Sequence, residues 1–343
     1  MCKVESASVD NPTSPEGGAQ TPGKMKTNSF FSQRIRLCGL LTVVGYLAAF
    51  GTIAGFLGQY AWWMDLGSHF RVQYAILFTF LTIYYALCKK KRWALGALSL
   101  AFVNAMPVAM FLLPRAAATS ASGASFRAML INVNTERGDP ARVITAITKE
   151  NPDIVVLEEI SDEWVKALDP VLKTYPVRKI EPRNDNFGIG LFTRIPCVST
   201  RVEYLGDAKV PSIFAEIMPD DRKLTLITTH PLPPGGSEYS SCRNEQLDKV
   251  AKEAATIQGP VLLLGDLNVT PWSYYYRRFV KTSELHDSAK GRSINPTWPS
   301  FFPLLGIQID HCFHSDEVVI SSRRVGRNVG SDHYPLTMDF SLK

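Results

Sequence analysis

Val261-Leu262-Leu263-Leu264-Gly265-Asp266-Leu267-Asn268 sets an acid and an amide directly after a short aliphatic run. A run of that length before turn-forming residues reads as a buried strand, which puts Asp266 and Asn268 at a strand tip. A charge in such a place is costly unless it is paired or binds a metal. The arrangement recurs. Asn132 closes Met129-Leu130-Ile131-Asn132, Glu158 and Glu159 close Pro152-Asp153-Ile154-Val155-Val156-Leu157, and His230 follows Leu226-Ile227-Thr228-Thr229. Asp310 and His311 follow Gln308-Ile309, and Ser331-Asp332-His333-Tyr334-Pro335 lies near the C-terminus. Packing requires none of these polar tips.

Around them, strands are expected at 128–133, 154–157, 188–192, 224–228 and 261–264, and helical spacing at 141–150 and 245–257. The texture from 127 to 343 is α/β, without a short-period repeat. Residues 1–30 are rich in Ser, Pro, Gly and Thr and cannot bury enough apolar surface to offset ordering, so a disordered tail is expected over 1–36. Three apolar runs follow at 37–58, 72–88 and 93–113, and a linker at 114–126. A membrane span needs about 20 apolar residues, with about 17 as the lower limit. Three transmembrane helices are expected.

The chain's 343 residues carry a net charge of +5. Through Arg115 there are 11 Lys and Arg against 4 Asp and Glu, a net of +7; the remainder has 26 against 28, a net of −2. The C-terminal part therefore lacks the basic excess of a nucleic-acid sponge. The cations serve as orientation signals instead, because Lys and Arg near span ends stay on the cytoplasmic side. Lys24, Lys26, Arg34 and Arg36 precede the first run, and Lys89, Lys90, Lys91 and Arg92 separate the second from the third. Between the first two runs stand only Asp65 and Arg71, with Trp62 and Trp63 as interfacial anchors. This predicts a multi-pass protein of the cell membrane, with its N-terminus cytoplasmic and its C-terminal domain extracytoplasmic. Cysteines at 2, 38, 88, 197, 242 and 312 include no pair at metal spacing, which argues against zinc and against a disulfide scaffold.

In their order, the strand-tip motifs resemble the endonuclease/exonuclease/phosphatase superfamily. That fold is shared by DNase I-like nucleases, abasic-site endonucleases, inositol polyphosphate 5-phosphatases and bacterial sphingomyelinases. The resemblance spans 127–343 and rests on Asn132, the Pro152 to Glu159 segment, the Thr229-His230 strand end, Gly265 to Asn268, Ile309 to His311 and Ser331 to Pro335. It implies two packed mixed β-sheets flanked by helices, a four-layer sandwich, here preceded by the three spans. It further implies Glu159, Asn132 and Asp332 as metal surroundings, and hard oxygen donors favour Mg²⁺ or Mn²⁺. Asp266 matches the acid that orients and deprotonates water, and Asn268 the amide that holds a phosphate oxygen or that water. His333 matches a phosphate contact, Asp310 its partner acid, and His230 a second histidine at phosphate or the leaving oxygen.

Asn186, in Asn186-Phe187-Gly188-Ile189-Gly190-Leu191, is a candidate substrate contact, as is Arg243, with a surface salt bridge as the alternative for the latter. Glu158 is expected to be solvated or to start a helix, and His311, His314 and His286 to be structural. The aromatic cluster from Trp272 to Tyr276, with Arg277 and Arg278, serves either packing or a substrate rim, and Trp298 packing. The expected activity is metal-dependent phosphoester hydrolysis by a membrane-anchored enzyme. The substrate is left open between lipid headgroup and nucleic acid, with a catalytically silent interaction protein as the competing class. The lipid bilayer is an expected partner through the three helices; no protein partner is expected.

Overall fold

The computed structural model describes residues 37–114 and 123–343. The expected tail over 1–36, with Lys24, Lys26, Arg34 and Arg36, and most of the expected linker lie outside the described residues. Met1–Leu40 are a separate unit, of which only the first turn of a helix is described, and Leu41–Lys343 form one compact unit.

Helices α1 (Leu37–Phe56), α3 (Arg71–Leu87) and α4 (Lys91–Leu112) occupy the three apolar runs, and a short α2 (Trp62–Ser68) fills the connection after α1. By length and composition α1 and α4 suffice to cross a membrane; α2 and α3, bent by 61°, make a third only if counted as one broken span. Helix α2 was not foreseen. Gly55 of α1 and Gly67 of α2 admit it: a Cβ at Gly55 would stand 2.7 Å from the Ser68 backbone nitrogen, and one at Gly67 would stand 2.6 Å from the Gly51 carbonyl. Small residues at a crossing let helix backbones approach.

The C-terminal part begins with β1 (Phe126–Asn132), α5 (Pro140–Glu150), β2 (Ile154–Glu158), α6 (Asp162–Leu172), β3 (Val177–Glu181) and β4 (Ile189–Thr193). It continues with β5 (Cys197–Glu203), β6 (Ser212–Ile217), β7 (Leu224–Thr229), α7 (Ser237–Thr256) and β8 (Val261–Asp266). It ends with α8 (Tyr274–Ser283), β9 (His286–Asp287), β10 (Asp310–His314), β11 (Val318–Val325) and β12 (Leu336–Leu342). Two six-stranded sheets result, in the orders β11-β12-β1-β2-β4-β3 and β5-β6-β7-β8-β10-β9. Both are mixed: β1 runs parallel to β2 and β7 parallel to β8, among antiparallel neighbours.

Strand alternation sorts side chains into layers. Leu130, Val156, Leu226, Leu262 and Leu264 fill the space between the sheets. Met129, Ile131, Val155 and Leu157 face α5 and α6, while Ile227 and Leu263 face α7 and α8. Each central strand is thus buried on both faces, which is why its sequence is aliphatic throughout rather than alternating. The expected layered sandwich of helix, sheet, sheet and helix is present.

Helix α7 starts at Ser237, earlier than the expected 245. The inward face of its early turns is polar, through Ser240, Arg243 and Gln246, so it carries no apolar period. The N-terminal apolar helices also enter the core of this part. Phe111 of α4 packs edge-on against Trp272, with ring centroids 5.4 Å apart, and its carbonyl accepts the Gly291 N–H at 2.9 Å. The aromatic cluster after Asn268 is therefore a packing element, with Trp272 and Tyr276 buried.

Candidate active site

The site is assembled from the C-terminal ends of β1, β2, β7 and β8, the start of β10 and the loop before β12. At the end of β8 the Asp266 N–H donates to Glu158 Oε2 at 3.0 Å, and Asp266 Oδ1 accepts the Asn268 N–H at 2.9 Å. Gly265 is required at this point because a Cβ would lie 2.1 Å from the Thr229 carbonyl of the neighbouring strand. Asp266 Oδ2 faces three groups: Asn132 Nδ2 at 3.5 Å, His333 Nε2 at 3.6 Å and His230 Nδ1 at 3.8 Å. Burial raises the Asp266 carboxyl above its ordinary range, against the pull of the His333 and His230 imidazoles.

Antiparallel pairing of β10 with β8 sets Asp310 opposite Asp266. Asp310 Oδ2 meets His333 Nδ1 at 2.9 Å, which leaves Nε2 directed to Asp266. Burial lowers the His333 pKa, but the Asp310 and Asp266 carboxylates outweigh it and raise it to about 10. His230 behaves in the same way: burial opposes its charge, and the nearby carboxylates of Glu159, Glu158 and Asp266 lift it to about 10. Its Nδ1 lies 3.2 Å from the Asp266 carbonyl, and the Phe187 ring is centred 5.7 Å from the imidazole.

Glu158 and Glu159 end one strand yet play opposite parts. Glu158, expected in solvent, is fully buried behind Asp266 as an acceptor of backbone N–H, and burial raises its pKa well above the ordinary value. Glu159 turns away through a left-handed φ of +59°, a conformation disfavoured for non-glycine residues and concentrated at functional sites. Its Oε1 accepts from Asn132 Nδ2 at 2.9 Å and lies 3.7 Å from His230 Nε2. Burial pushes Glu159 up, but His230 and Asn132 prevail and hold it below its ordinary value. Asn268 also takes a left-handed φ, +51°, and its Nδ2 donates to the Pro231 carbonyl at 3.0 Å.

Asp332 stands one step removed. Its Oδ1 accepts from Asn134 Nδ2 at 2.7 Å and its Oδ2 from Trp298 Nε1 at 2.9 Å. The Asn134 N–H in turn donates to Asn132 Oδ1 at 3.1 Å, so Asp332 is linked to Asn132 and Glu159 through Asn134. Neither Asn134 nor Trp298 was assigned a polar role from sequence. The alternation Asn132-Val133-Asn134, two amides on one side of a strand end, was the available signal for the first.

Arg243 requires correction. It is completely buried rather than facing substrate or surface solvent. Its Nη2 donates to Asp65 Oδ2 of α2 at 3.0 Å and its Nη1 to the Asn268 carbonyl at 3.0 Å, while Asp65 Oδ1 also accepts from Ser273 Oγ at 2.8 Å. The guanidinium therefore has no face left for a substrate. The signal for its partner was present, since Asp65 is the only acid between Glu16 and Glu136. Asn186 is exposed, in a left-handed turn beside Phe187. His311 is buried between Asp287 and the Val269 carbonyl, at 2.9 Å from each. His286 pairs with Asp316, and His314 with the Ser315 carbonyl.

Asp266, Asp310 and His333 bring ligand atoms within 4.8 Å of one another, a group able to hold a metal ion. However, the direct Asp310–His333 contact and the raised His333 pKa describe an acid–imidazolium pair, and a protonated imidazole is no ligand. The oxygen donors of Glu159 and Asp266, with Asn132 between them, fit a hard divalent cation better. Among the described residues no cysteine joins them.

Two mixed sheets close on a buried cluster of acids and histidines, an arrangement suited to the hydrolysis of phosphoester bonds. The model of the Endonuclease/Exonuclease/phosphatase family matches residues 129–333, and the chain belongs to that family. Enzymes of the family usually use divalent metals. No curated protein matches the sequence. Solved structures share the fold. An endonuclease/exonuclease/phosphatase from Beutenbergia cavernae is 20% identical with a TM-score of 0.54, over 64% of this chain and 72% of that one. A Bacteroides vulgatus counterpart is 19% identical with a TM-score of 0.54, over 64% and 100%. The human Nocturnin catalytic domain, solved with bound sulfate, is 20% identical with a TM-score of 0.53, over 64% and 94%.

Proposed function

We propose that the chain is a membrane-anchored, divalent-metal-dependent phosphoesterase whose catalytic part lies outside the cytoplasmic membrane. The observation that carries this reading is the convergence of Glu159, Asp266 and Asp310 with His230 and His333 in one buried cluster fed by both sheets. Phosphoester hydrolysis needs a base for water, donors for the non-bridging oxygens and an acid for the leaving oxygen. Asp266, with its pKa raised by burial, orients the water and accepts its proton as the oxygen attacks phosphorus. His333, kept charged by Asp310, and Asn268 hold non-bridging oxygens. His230, charged beside Glu159, donates to the leaving oxygen as its bond to phosphorus breaks. Glu159 and Asn132, supported by Asp332, would hold Mg²⁺ or Mn²⁺, which supplies positive charge against the phosphoryl oxygens.

The helix ends support the placement. The domain is met by α2, by the start of α3 and by the end of α4, through Asp65, Gln73 and Phe111. Lys89 and Lys90 in the turn, with Lys91 and Arg92 at the start of α4, stand at the opposite end of α3 and α4, where a cytoplasmic cation cluster belongs. An alkaline phosphatase reporter is therefore expected to be active when fused at the C-terminus and inactive when fused after Arg92; the reverse pattern would overturn the orientation.

For the chemistry, the full chain in detergent is expected to hydrolyse bis-p-nitrophenyl phosphate with Mg²⁺ or Mn²⁺. A chelator should abolish turnover, and either ion should restore it. Release of p-nitrophenolate that is indifferent to the chelator would refute metal dependence. No turnover with any divalent ion would favour a silent interaction protein.

A further inference from the structure

Phe301-Phe302-Pro303-Leu304-Leu305 is a consecutive run of exposed residues on an otherwise polar catalytic surface. Phe301 is 71% exposed, Leu304 80%, and Phe302 and Leu305 46% each. The other large apolar side chains exposed on this part, Val198, Tyr204 and Tyr239, stand singly. Scattered exposed apolar residues are ordinary, whereas a contiguous patch marks a contact surface. No Asp, Glu, Lys or Arg occurs from Ser293 to Ile309, so nothing in the segment resists an apolar surrounding.

Its location identifies the surrounding. The Gly306 carbonyl, at the end of the run, accepts from Gln73 Nε2 at 2.8 Å, in the first turn of α3. The run therefore sits at the domain-side end of the membrane helices. At that same end Tyr60, in the connection from α1 to α2, is 72% exposed and Trp63, in the first turn of α2, is 42% exposed, aromatic residues of the kind enriched at the membrane–water boundary. At its other end the run is braced on the active site. Ser300 N–H donates to the Asp332 carbonyl at 2.7 Å, Ser300 Oγ to the Ser331 carbonyl at 2.7 Å, and Tyr334 Oη to the Ser300 carbonyl at 2.9 Å.

Building on the membrane-anchored reading, we infer that residues 301–305 dip into the outer leaflet of the bilayer that the helices cross. The loop forms a second, non-spanning contact that holds the Asp332–His333 end of the active site at headgroup height. A lipid surface is favoured over a second protein copy because the patch is continuous with the anchor through Gln73 and Gly306. In addition, binding at the interface scales with the apolar area buried there, which exposed Phe and Leu side chains supply.

The test places one environment-sensitive fluorophore at a time on the full chain, in nanodiscs holding a single copy, through Leu304→Cys, Leu98→Cys or Tyr204→Cys with the native cysteines replaced by serine. Leu98 reports the exposed side of α4, and Tyr204 an exposed apolar residue outside the loop. Spin-labelled phosphatidylcholine is expected to quench the Leu304 and Leu98 probes, and aqueous iodide only the Tyr204 probe. Iodide quenching of Leu304 with lipid quenching of Leu98 would overturn the inference while leaving the anchor intact. Iodide quenching of both would refute the anchor itself. Shielding of Leu304 only in discs with two copies would assign the loop to self-association and also overturn the inference. Should the cysteine-free chain not fold, a photoactivatable phospholipid with the native protein reads the same contact: adducts on 301–305 support it, and labelling confined to the helices overturns it.

Discussion

Asp266→Asn is expected to lower metal-dependent phosphodiester turnover by about 10²–10⁴-fold, the range for losing a positioned general base. The replacement is nearly isosteric. Its side-chain oxygen can still accept the Asn268 N–H, which Asp266 Oδ1 accepts at 2.9 Å, so the turn that displays Asn268 is preserved. What disappears is the charge facing His333 Nε2 at 3.6 Å and His230 Nδ1 at 3.8 Å. An asparagine amide cannot take a proton from water, and it no longer helps to hold the two imidazoles in their charged forms. The expected signature is a fall in kcat with an unchanged melting temperature of the full chain. Wild-type turnover in the variant would remove Asp266 from the chemistry and shift the base to Glu159.

Asp65→Ala is expected to have the largest effect on stability. Removing one member of a buried ion pair costs about 3–5 kcal/mol, because the remaining charge is left without compensation. Arg243 is fully buried, and its only carboxylate partner among the described residues is Asp65 at 3.0 Å. Since domains are stable by about 5–15 kcal/mol in total, the loss should be plain as a lowered melting temperature of the detergent-solubilised chain. Buried pairs replaced together by apolar residues of similar size are often neutral. Asp65→Leu with Arg243→Met should accordingly recover much of the stability. It should not recover full turnover, because Arg243 Nη1 also donates to the Asn268 carbonyl at 3.0 Å. If Asp65→Ala melts like the wild type, the pair is not a structural tie.

The strand tips were legible because physical cost made them conspicuous: an acid after four aliphatics has few reasons to exist. Asp266, Asn132, Glu159, His230, Asp310 and His333 do converge. Glu158 against Glu159 was not decidable from chemistry alone, since the distinction lies in one backbone rotation, the +59° φ that turns Glu159 out while Glu158 stays behind Asp266. Arg243 was misread for a different reason. Its helix buries polar groups on its early turns, so hydrophobic periodicity placed the start of α7 too late and left Arg243 apparently on the surface. Its partner lies 178 positions away, a separation that local pattern does not bridge. Asp332 was expected from its motif, but its links to Asn134 and Trp298 depend on loop geometry that no periodicity encodes.

The Asp65–Arg243 tie also bears on how such a protein can evolve. Joining a hydrolase to a membrane anchor is often pictured as a fusion of interchangeable parts, each indifferent to the other. Here the N-terminal helices contribute a buried acid and the Phe111 side chain, and the C-terminal part contributes the arginine and the Trp272 contact that receive them. A chimera carrying this catalytic half on a foreign anchor would inherit an arginine without its acid. The two parts must therefore be inherited together, or their junction must be rewritten at both ends.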